Sequence, residues 1–311
     1  MPDDRPSCPK CFAQGKDELG RYKIQKHGRN RFFCTECRYA FRPIKPNINN
    51  IDLTRYVYEP RLNGDFLLVF DPHFPFQHIK AWEHAKSMCK KWNIRKCIIP
   101  GDTLDLDAFK KFLDKHPDLT GWKEEKLRTQ CALSWLLTWM DEVNLLMGNH
   151  ELRFWKFAQG RPDQEDIFTV ILGDLDNREK IKHYLYPYAI INDSWIVDHP
   201  NMTSTIPTRV PHRLSDKYMP DLLIELINRG KKGKNDQYGY VSGHGHLGGE
   251  ATNSSGKIQI ADGMVMCDPD LMGYYKLKRS ARPAWRVGFN ILRNNYLYRF
   301  PELNTDWDFW L

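Results

Sequence analysis

Five short apolar runs, each opening into a turn led by Gly, Asp or Ser, constrain this chain more than any other feature. Phe66-Leu-Leu-Val-Phe70 precedes Asp71, Cys97-Ile-Ile-Pro100 precedes Gly101-Asp102, and Val143-Asn-Leu-Leu-Met147 precedes Gly148. Trp195-Ile-Val197 precedes Asp198-His199, and Tyr238-Gly-Tyr-Val241 precedes Ser242-Gly243. Such runs read as buried strands that end in loops. The loops carry Asp71-Pro-His73, Gly101-Asp102, Gly148-Asn-His-Glu151, His199 and Gly243-His-Gly-His246. Taken one at a time, Asp71, Asp102 and Asn149 are ordinary turn residues. Together, Asp, Asn and His form a borderline oxygen and nitrogen donor set, suited to paired divalent ions rather than to a structural thiolate site.

The order and spacing of these blocks resemble the calcineurin-like metallophosphoesterases over residues 64–265. The resemblance implies that Asp71, His73 and His246 hold one metal ion. It gives Asn149, His199 and His244 to a second ion, with Asp102 bridging the two. His150 is implied to be no ligand but a catalytic residue that contacts the scissile phosphate and assists the leaving group. Between His150 and His244 the chain has only His183, His199 and His212. His199 follows a strand-like run, with Pro200 where the family often has Gly; His212, after Pro211, is the alternative.

Phosphate esters resist attack because their oxygens are negative and their leaving group is poor. Two metals about 3.5–4 Å apart neutralise those oxygens and lower the pKa of a shared water. An imidazole nearby can protonate the leaving oxygen. No Gly-x-Ser-x-Gly elbow suggests a serine nucleophile. Ser/Thr protein phosphatases carry Arg-Gly after the second Asp of Gly-Asp-x-x-Asp, whereas here Gly101-Asp-Thr-Leu-Asp105 continues Leu106-Asp107-Ala108-Phe109. The phosphate-gripping Arg is missing at that place. The pattern is more similar to phage-encoded phosphoesterases, which would place the protein in the host cytoplasm. The ligand set accepts manganese first, with iron, zinc or nickel as alternatives.

Near the other end, Cys8-Pro-Lys-Cys11 and Cys34-Thr-Glu-Cys37 form two Cys-x-x-Cys knuckles separated by 22 residues. Four thiolates so arranged suit one structural zinc ion. Asp3, Asp4 and Arg5 open the chain with no apolar core behind them, which argues against a secretory leader and against disulfides. The stretch from Arg31 to Phe41 resembles the second knuckle of zinc ribbons in transposases and transcription factors. Cys89, Cys97, Cys131 and Cys267 show no metal spacing and are expected to be free thiols, buried where they lie in apolar runs.

The positive charge is concentrated in this module. Residues 1–46 hold eleven Lys and Arg against five Asp and Glu, a net of +6, whereas the whole chain is only +7. A near-neutral enzyme with a basic zinc module reads as an enzyme with a polyanion-binding handle. Arg29, Arg31, Arg38 and Arg42, interleaved with Phe32, Phe33, Tyr39 and Phe41, are the candidate nucleic-acid contacts there. Lys231 and Lys232, in Arg229-Gly-Lys-Lys-Gly-Lys234, are candidates in the catalytic part, where a solvated loop is the alternative. An interaction or oligomerisation module is the other use for the ribbon.

These observations predict a zinc ribbon over residues 1–46, a Pro- and Asn-rich linker over 47–63, and a phosphoesterase domain over 64–311. With 41% hydrophobic residues and no long apolar run, the chain suits a globular fold off the membrane. Alternating strands and helices imply an α/β (α+β) fold, a two-sheet β-sandwich flanked by helices. One helix is predicted over 78–92, with Ile79, Trp82, Ala85 and Cys89 on its apolar face. A longer one carries Leu127, Cys131, Trp135 and Met140 with Leu133, Leu136 and Leu137. The leading functional reading is a metal-dependent phosphodiesterase acting on nucleic acid, DNA ahead of RNA. The alternatives are hydrolysis of a small nucleotide or phosphate ester, and an inactive binding protein.

Overall fold

The computed structural model describes residues 59–109, 121–158, 164–173, 175–228, 237–253, 256–272 and 285–302, together with the backbone of three short strands nearer the start. The chain divides into two compact units, residues 1–58 and 59–311. In the first, β1 (Ile24–Lys26), β2 (Phe32–Cys34) and β3 (Tyr39–Phe41) form an antiparallel sheet in which Phe33 pairs with Gln25 on one side and Ala40 on the other. The Cys34 backbone lies in β2, while Cys8, Cys11 and Cys37 lie outside the described residues, as do Arg29, Arg31, Arg38, Arg42, Lys231 and Lys232.

Two mixed six-stranded sheets flanked by helices make up the second unit, the sandwich expected from strand–helix alternation. One sheet is ordered β15-β14-β5-β6-β7-β8, from β5 (Phe66–Leu68), β6 (Lys96–Pro100), β7 (Glu142–Leu146), β8 (Ile181–Tyr184), β14 (Gly288–Arg293) and β15 (Tyr296–Pro301). The other is ordered β12-β13-β11-β10-β9-β4. Its strands are β4 (Arg61–Leu62), β9 (Tyr188–Ile191), β10 (Trp195–Asp198), β11 (Tyr238–Ser242), β12 (Glu250–Thr252) and β13 (Ile258–Asp262). β5 through β8 run parallel, as do β10, β11 and β13. Their carboxyl ends, and the loops that follow, therefore gather along one edge.

Strand alternation divides the core into layers. Phe66, Leu68, Ile98, Trp195 and Val197 point between the sheets. Leu67, Cys97, Ile99, Val143 and Leu145 point outward, into a layer shared with the helices α1 (Ile79–Trp92), α2 (Trp122–Leu137), α3 (Glu151–Phe157) and α4 (Gln164–Leu172). Ile190, Ile196, Tyr240 and Ile260 face the opposite way, under α5 (Arg209–Asn228). Burial on both faces explains why the strands read as unbroken apolar runs; each such side chain contributes about 1.5–3 kcal/mol.

Three sequence expectations need correction. The larger unit starts at Glu59, inside the expected 47–63 linker, because Leu62 is buried and Arg61 bonds to Glu59, Asp193 and Glu225 at 2.6–3.0 Å, fixing β4 against β9. In α1 the buried face is Ala81, Trp82, Ala85 and Cys89, while Ile79 at the first turn is exposed. In α2, Leu127 and Cys131 face solvent, and Glu125 and Thr129 are buried in their place. The Glu125 carboxylate accepts the Leu106 amide at 2.5 Å, and Thr129 donates to the Glu125 carbonyl at 2.8 Å. Two polar residues thus occupy positions that an apolar pattern cannot reveal. Among the described residues no helix is long and apolar enough to cross a membrane.

Candidate metal centre

The site is assembled from the loops after β5, β6, β7, β10 and β11. They are joined by backbone bonds: His73 donates to the Asp102 carbonyl at 3.1 Å, Phe74 to Thr103 at 2.9 Å, and Gly243 to Asp198 at 2.8 Å. Asp71, His73, Asp102, His244 and His246 all have φ between 42° and 64°. Non-glycine residues rarely adopt this left-handed region, and where they do so together the surrounding structure holds them for a purpose. Gly148 is required for a different reason. A Cβ there would collide with the Asp102 amide and carboxylate and with the Glu151 carboxylate, so only glycine lets the two loops approach.

Two groups of ligating atoms converge, Asp71 with His73 and His246, and Asp102 with His199 and His244. His199 joins them, its Nε2 lying 3.0 Å from Asp71 Oδ1 and 3.2 Å from Asp102 Oδ2. His246 Nε2 is 3.2 Å from Asp71 Oδ1, and the other Asp71 oxygen accepts the His244 amide at 3.0 Å. His244 Nδ1 stands 4.0 Å from Asp102 Oδ2. Asp71, His73, Asp102, His199 and His246 are buried, and His244 and Asn149 half-buried. His73 Nε2 and Asn149 Oδ1, both shielded from solvent, have no hydrogen-bond partner among the described residues. Buried imidazole and amide atoms left so are costly unless they ligate, and this donor set fits two divalent ions.

His212 is not part of this arrangement; it sits half-exposed on α5, 3.3 Å from Asp216. His183 on β8 packs against Phe168.

Three further residues belong to the centre, all of them inside or beside motifs visible in the sequence. Asp105, the second acid of Gly101-Asp-Thr-Leu-Asp105, lies 3.3 Å from His73 Nδ1 and 3.5 Å from His150 Nδ1, forming a third ligand-like group with them. Glu151, fully buried, accepts the amides of Gly148 (3.0 Å), Asp102 (3.1 Å), Thr103 (2.8 Å) and Leu104 (3.3 Å). Arg153, on the short helix α3, donates to the Asp105 carbonyl at 2.8 Å and places Nη2 2.5 Å from His150 Nε2.

The electrostatics follow from this crowding. Burial alone would raise the Asp71 carboxyl, but His246 and His199 hold it well below the ordinary carboxylate range. Asp102 is likewise held down, against burial, by His150 and His199. Burial would lower His199, yet Asp102 and Asp71 push it well above the usual imidazole value. His150 is lowered to about 3 by burial, with His73 and Arg153 adding to the effect. Burial, with His199, lowers His244 to about 4. Burial and the neighbouring Asp102 raise Glu151 to about 7. Asp71 and Asp102 thus compensate His199, while burial disfavours charge on His150, His244 and Glu151.

A cavity of about 650 Å³ opens beside the centre, sharing Gly148, Asn149 and His199 with it.

The chain matches no protein-family model and no curated protein. Among solved structures it is similar to an archaeal phosphodiesterase, at 12% identity and a TM-score of 0.37, covering 76% of this chain and 99% of that one. A phosphoesterase from E. coli shares 12% identity with a TM-score of 0.34, covering 75% and 90%. A dimetal phosphatase from Danio rerio shares 9% identity with a TM-score of 0.35, covering 76% and 95%.

Proposed function

We propose that this protein is a metal-dependent phosphoesterase that hydrolyses phosphodiester bonds in nucleic acid, DNA ahead of RNA. The observation that carries the reading is the position of His199, with one nitrogen within 3.2 Å of both Asp71 and Asp102. Two ligand groups that meet through one imidazole suit a pair of ions, not two separate sites. Asp71, His73 and His246 would hold one ion, Asn149, His199 and His244 the other, and Asp102 would be shared; manganese is the first choice. Divalent ions so placed neutralise phosphoryl oxygens and lower the pKa of a water.

The chain's own residues supply the rest. Asp71 and Asp102 stay ionised as ligands because the imidazoles around them favour their charged form. His150 would contact the scissile phosphate and assist the leaving group, and Arg153, with Nη2 2.5 Å from His150 Nε2, would act with it. Support for nucleic acid comes from the +6 charge of residues 1–46 in a chain of net +7, with Cys8, Cys11, Cys34 and Cys37 as the ligands of a structural zinc. A small phosphate ester such as a nucleotide is the second reading, favoured by the cavity beside Asn149 and His199, whose lining among the described residues includes no Lys or Arg.

The deciding experiment incubates manganese-loaded protein with single- and double-stranded DNA, RNA, a chromogenic diester and a chromogenic monoester. Cleavage of nucleic acid and diester supports the first reading. Cleavage of the monoester alone supports the second, and turnover of none of them refutes both.

A further inference from the structure

The cavity beside the centre differs in chemistry from the centre itself. It lies between the outer face of the sheet containing β10 and β11 and helix α5, reaching from Ile196 and Tyr240 on the sheet to Leu214, Tyr218 and Leu222 on the helix. Leu152, Leu185 and Met202 extend its apolar wall toward Asn149. Beyond Asn149 and His199, its polar groups are the Asn201 amide, tyrosine hydroxyls and the carboxylates of Glu59, Asp198, Asp221 and Glu225. Most of that acidity is already engaged. Tyr240 donates to Asp198, Tyr188 donates to Glu59 at 2.9 Å, and Arg61, outside the lining, donates to Glu59 at 2.7 Å and Glu225 at 2.6 Å. Such a wall repels a second phosphate or any other anion and accepts a neutral group that offers N–H donors. The volume lies within the range of about 300–1,000 Å³ typical of small-molecule sites.

We propose that this cavity is a nucleobase pocket, receiving the base of the nucleoside whose phosphate is held at the Asn149–His199 edge. The inference rests on the phosphoesterase reading of the centre. A base is planar, uncharged and apolar on its faces, suiting the leucine, methionine and tyrosine walls. Its edges carry N–H groups that match the carboxylates. The phosphate would stay beside Asn149 and His199, where the divalent ions would be held, and the organic group alone would enter the acidic part. A base stacked inside a duplex cannot enter such a pocket, so the substrate presents an unstacked nucleotide. A free nucleotide ester and the end of a single strand both satisfy that chemistry.

The test uses the full chain loaded with manganese and three substrates: methyl p-nitrophenyl phosphate, the p-nitrophenyl ester of thymidine 5′-phosphate, and a short single-stranded DNA. Met202→Trp fills the pocket, and Tyr218→Ala removes an aromatic wall. The base-bearing substrates should lose about tenfold or more in kcat/KM in either variant, the scale of one aromatic–base contact. Turnover of the methyl ester should stay within about twofold on the same scale of reasoning. In a second arm, saturation-transfer NMR on the metal-stripped protein should show magnetisation passing to the base protons of thymidine and adenosine. Met202→Trp should abolish that transfer. Preference for the thymidine ester assigns the pocket to free nucleotides, and preference for the oligonucleotide assigns it to strand ends. Equal losses on all three substrates, or no transfer to either nucleoside, would overturn the pocket. If none of the three is hydrolysed, the phosphoesterase reading fails, and the NMR arm still decides the pocket.

Discussion

The Glu151 carboxylate holds the loop of Asp102 against the loop of Asn149, accepting the Asp102 amide at 3.1 Å and the Gly148 amide at 3.0 Å from the same oxygen. Its other oxygen accepts Thr103 at 2.8 Å. One buried side chain thus sets the spacing of the Asp102 and Asn149 loops.

Glu151→Ala should therefore destabilise the fold by about 2–4 kcal/mol, because several buried amides lose their acceptor. It should also lower the content of catalytic metal. Denaturant unfolding and elemental analysis of the purified variant measure both. A variant with unchanged stability and full metal content would show that the loops hold their spacing without Glu151.

His150→Ala should keep both metals and lose rate, by about 10²–10⁴-fold for esters with poor leaving groups and less for good ones. Because Arg153 Nη2 lies 2.5 Å from His150 Nε2, Arg153→Ala should share that loss, and the double variant should be little worse than either single one. Rates on a series of esters with graded leaving groups provide the comparison. Losses independent of the leaving group, or fully additive ones, would mean that the pair does not act there.

The convergence of Asp71, Asp102, His199, His244 and His246 is legible in the sequence because strands buried on both faces leave plain apolar runs, and these residues sit directly where those runs stop. Asp105 and Glu151 lie within the same motifs, yet their roles depend on contacts across separate loops, His73 to Asp105 and Glu151 to Thr103. The apolar face of α2 departs from its sequence pattern for a related reason. Glu125 is buried because it caps the Leu106 amide, an interaction 19 residues away that no helical period encodes. The cavity under α5 is hidden from the sequence as well. That helix includes Pro220, which reads as a breaker, and its packing on Tyr240 joins distant parts of the chain.

A chain starting at Glu59, or the full chain carrying Cys34→Ser, should keep near-normal turnover of a small diester, since the larger unit has its own core. On long nucleic acid it should bind more weakly, and the dependence of binding on salt should flatten as Lys and Arg contacts disappear. Zinc content should fall with it. Binding isotherms at several salt concentrations make the comparison; identical curves for the full and shortened chains would remove the handle from the account.

In the proposed centre one site holds two ions through a shared Asp102. Protein stripped of metal and titrated with manganese, with bound metal and hydrolysis of a chromogenic diester followed together, tests this directly. Two catalytic ions should bind per chain, turnover should need the second ion, and Asp102→Asn should lose both that ion and orders of magnitude in rate. His246→Ala should likewise lose metal and rate. Hydrolysis that persists without added metal, saturation at a single ion, or full activity in Asp102→Asn would contradict the shared centre.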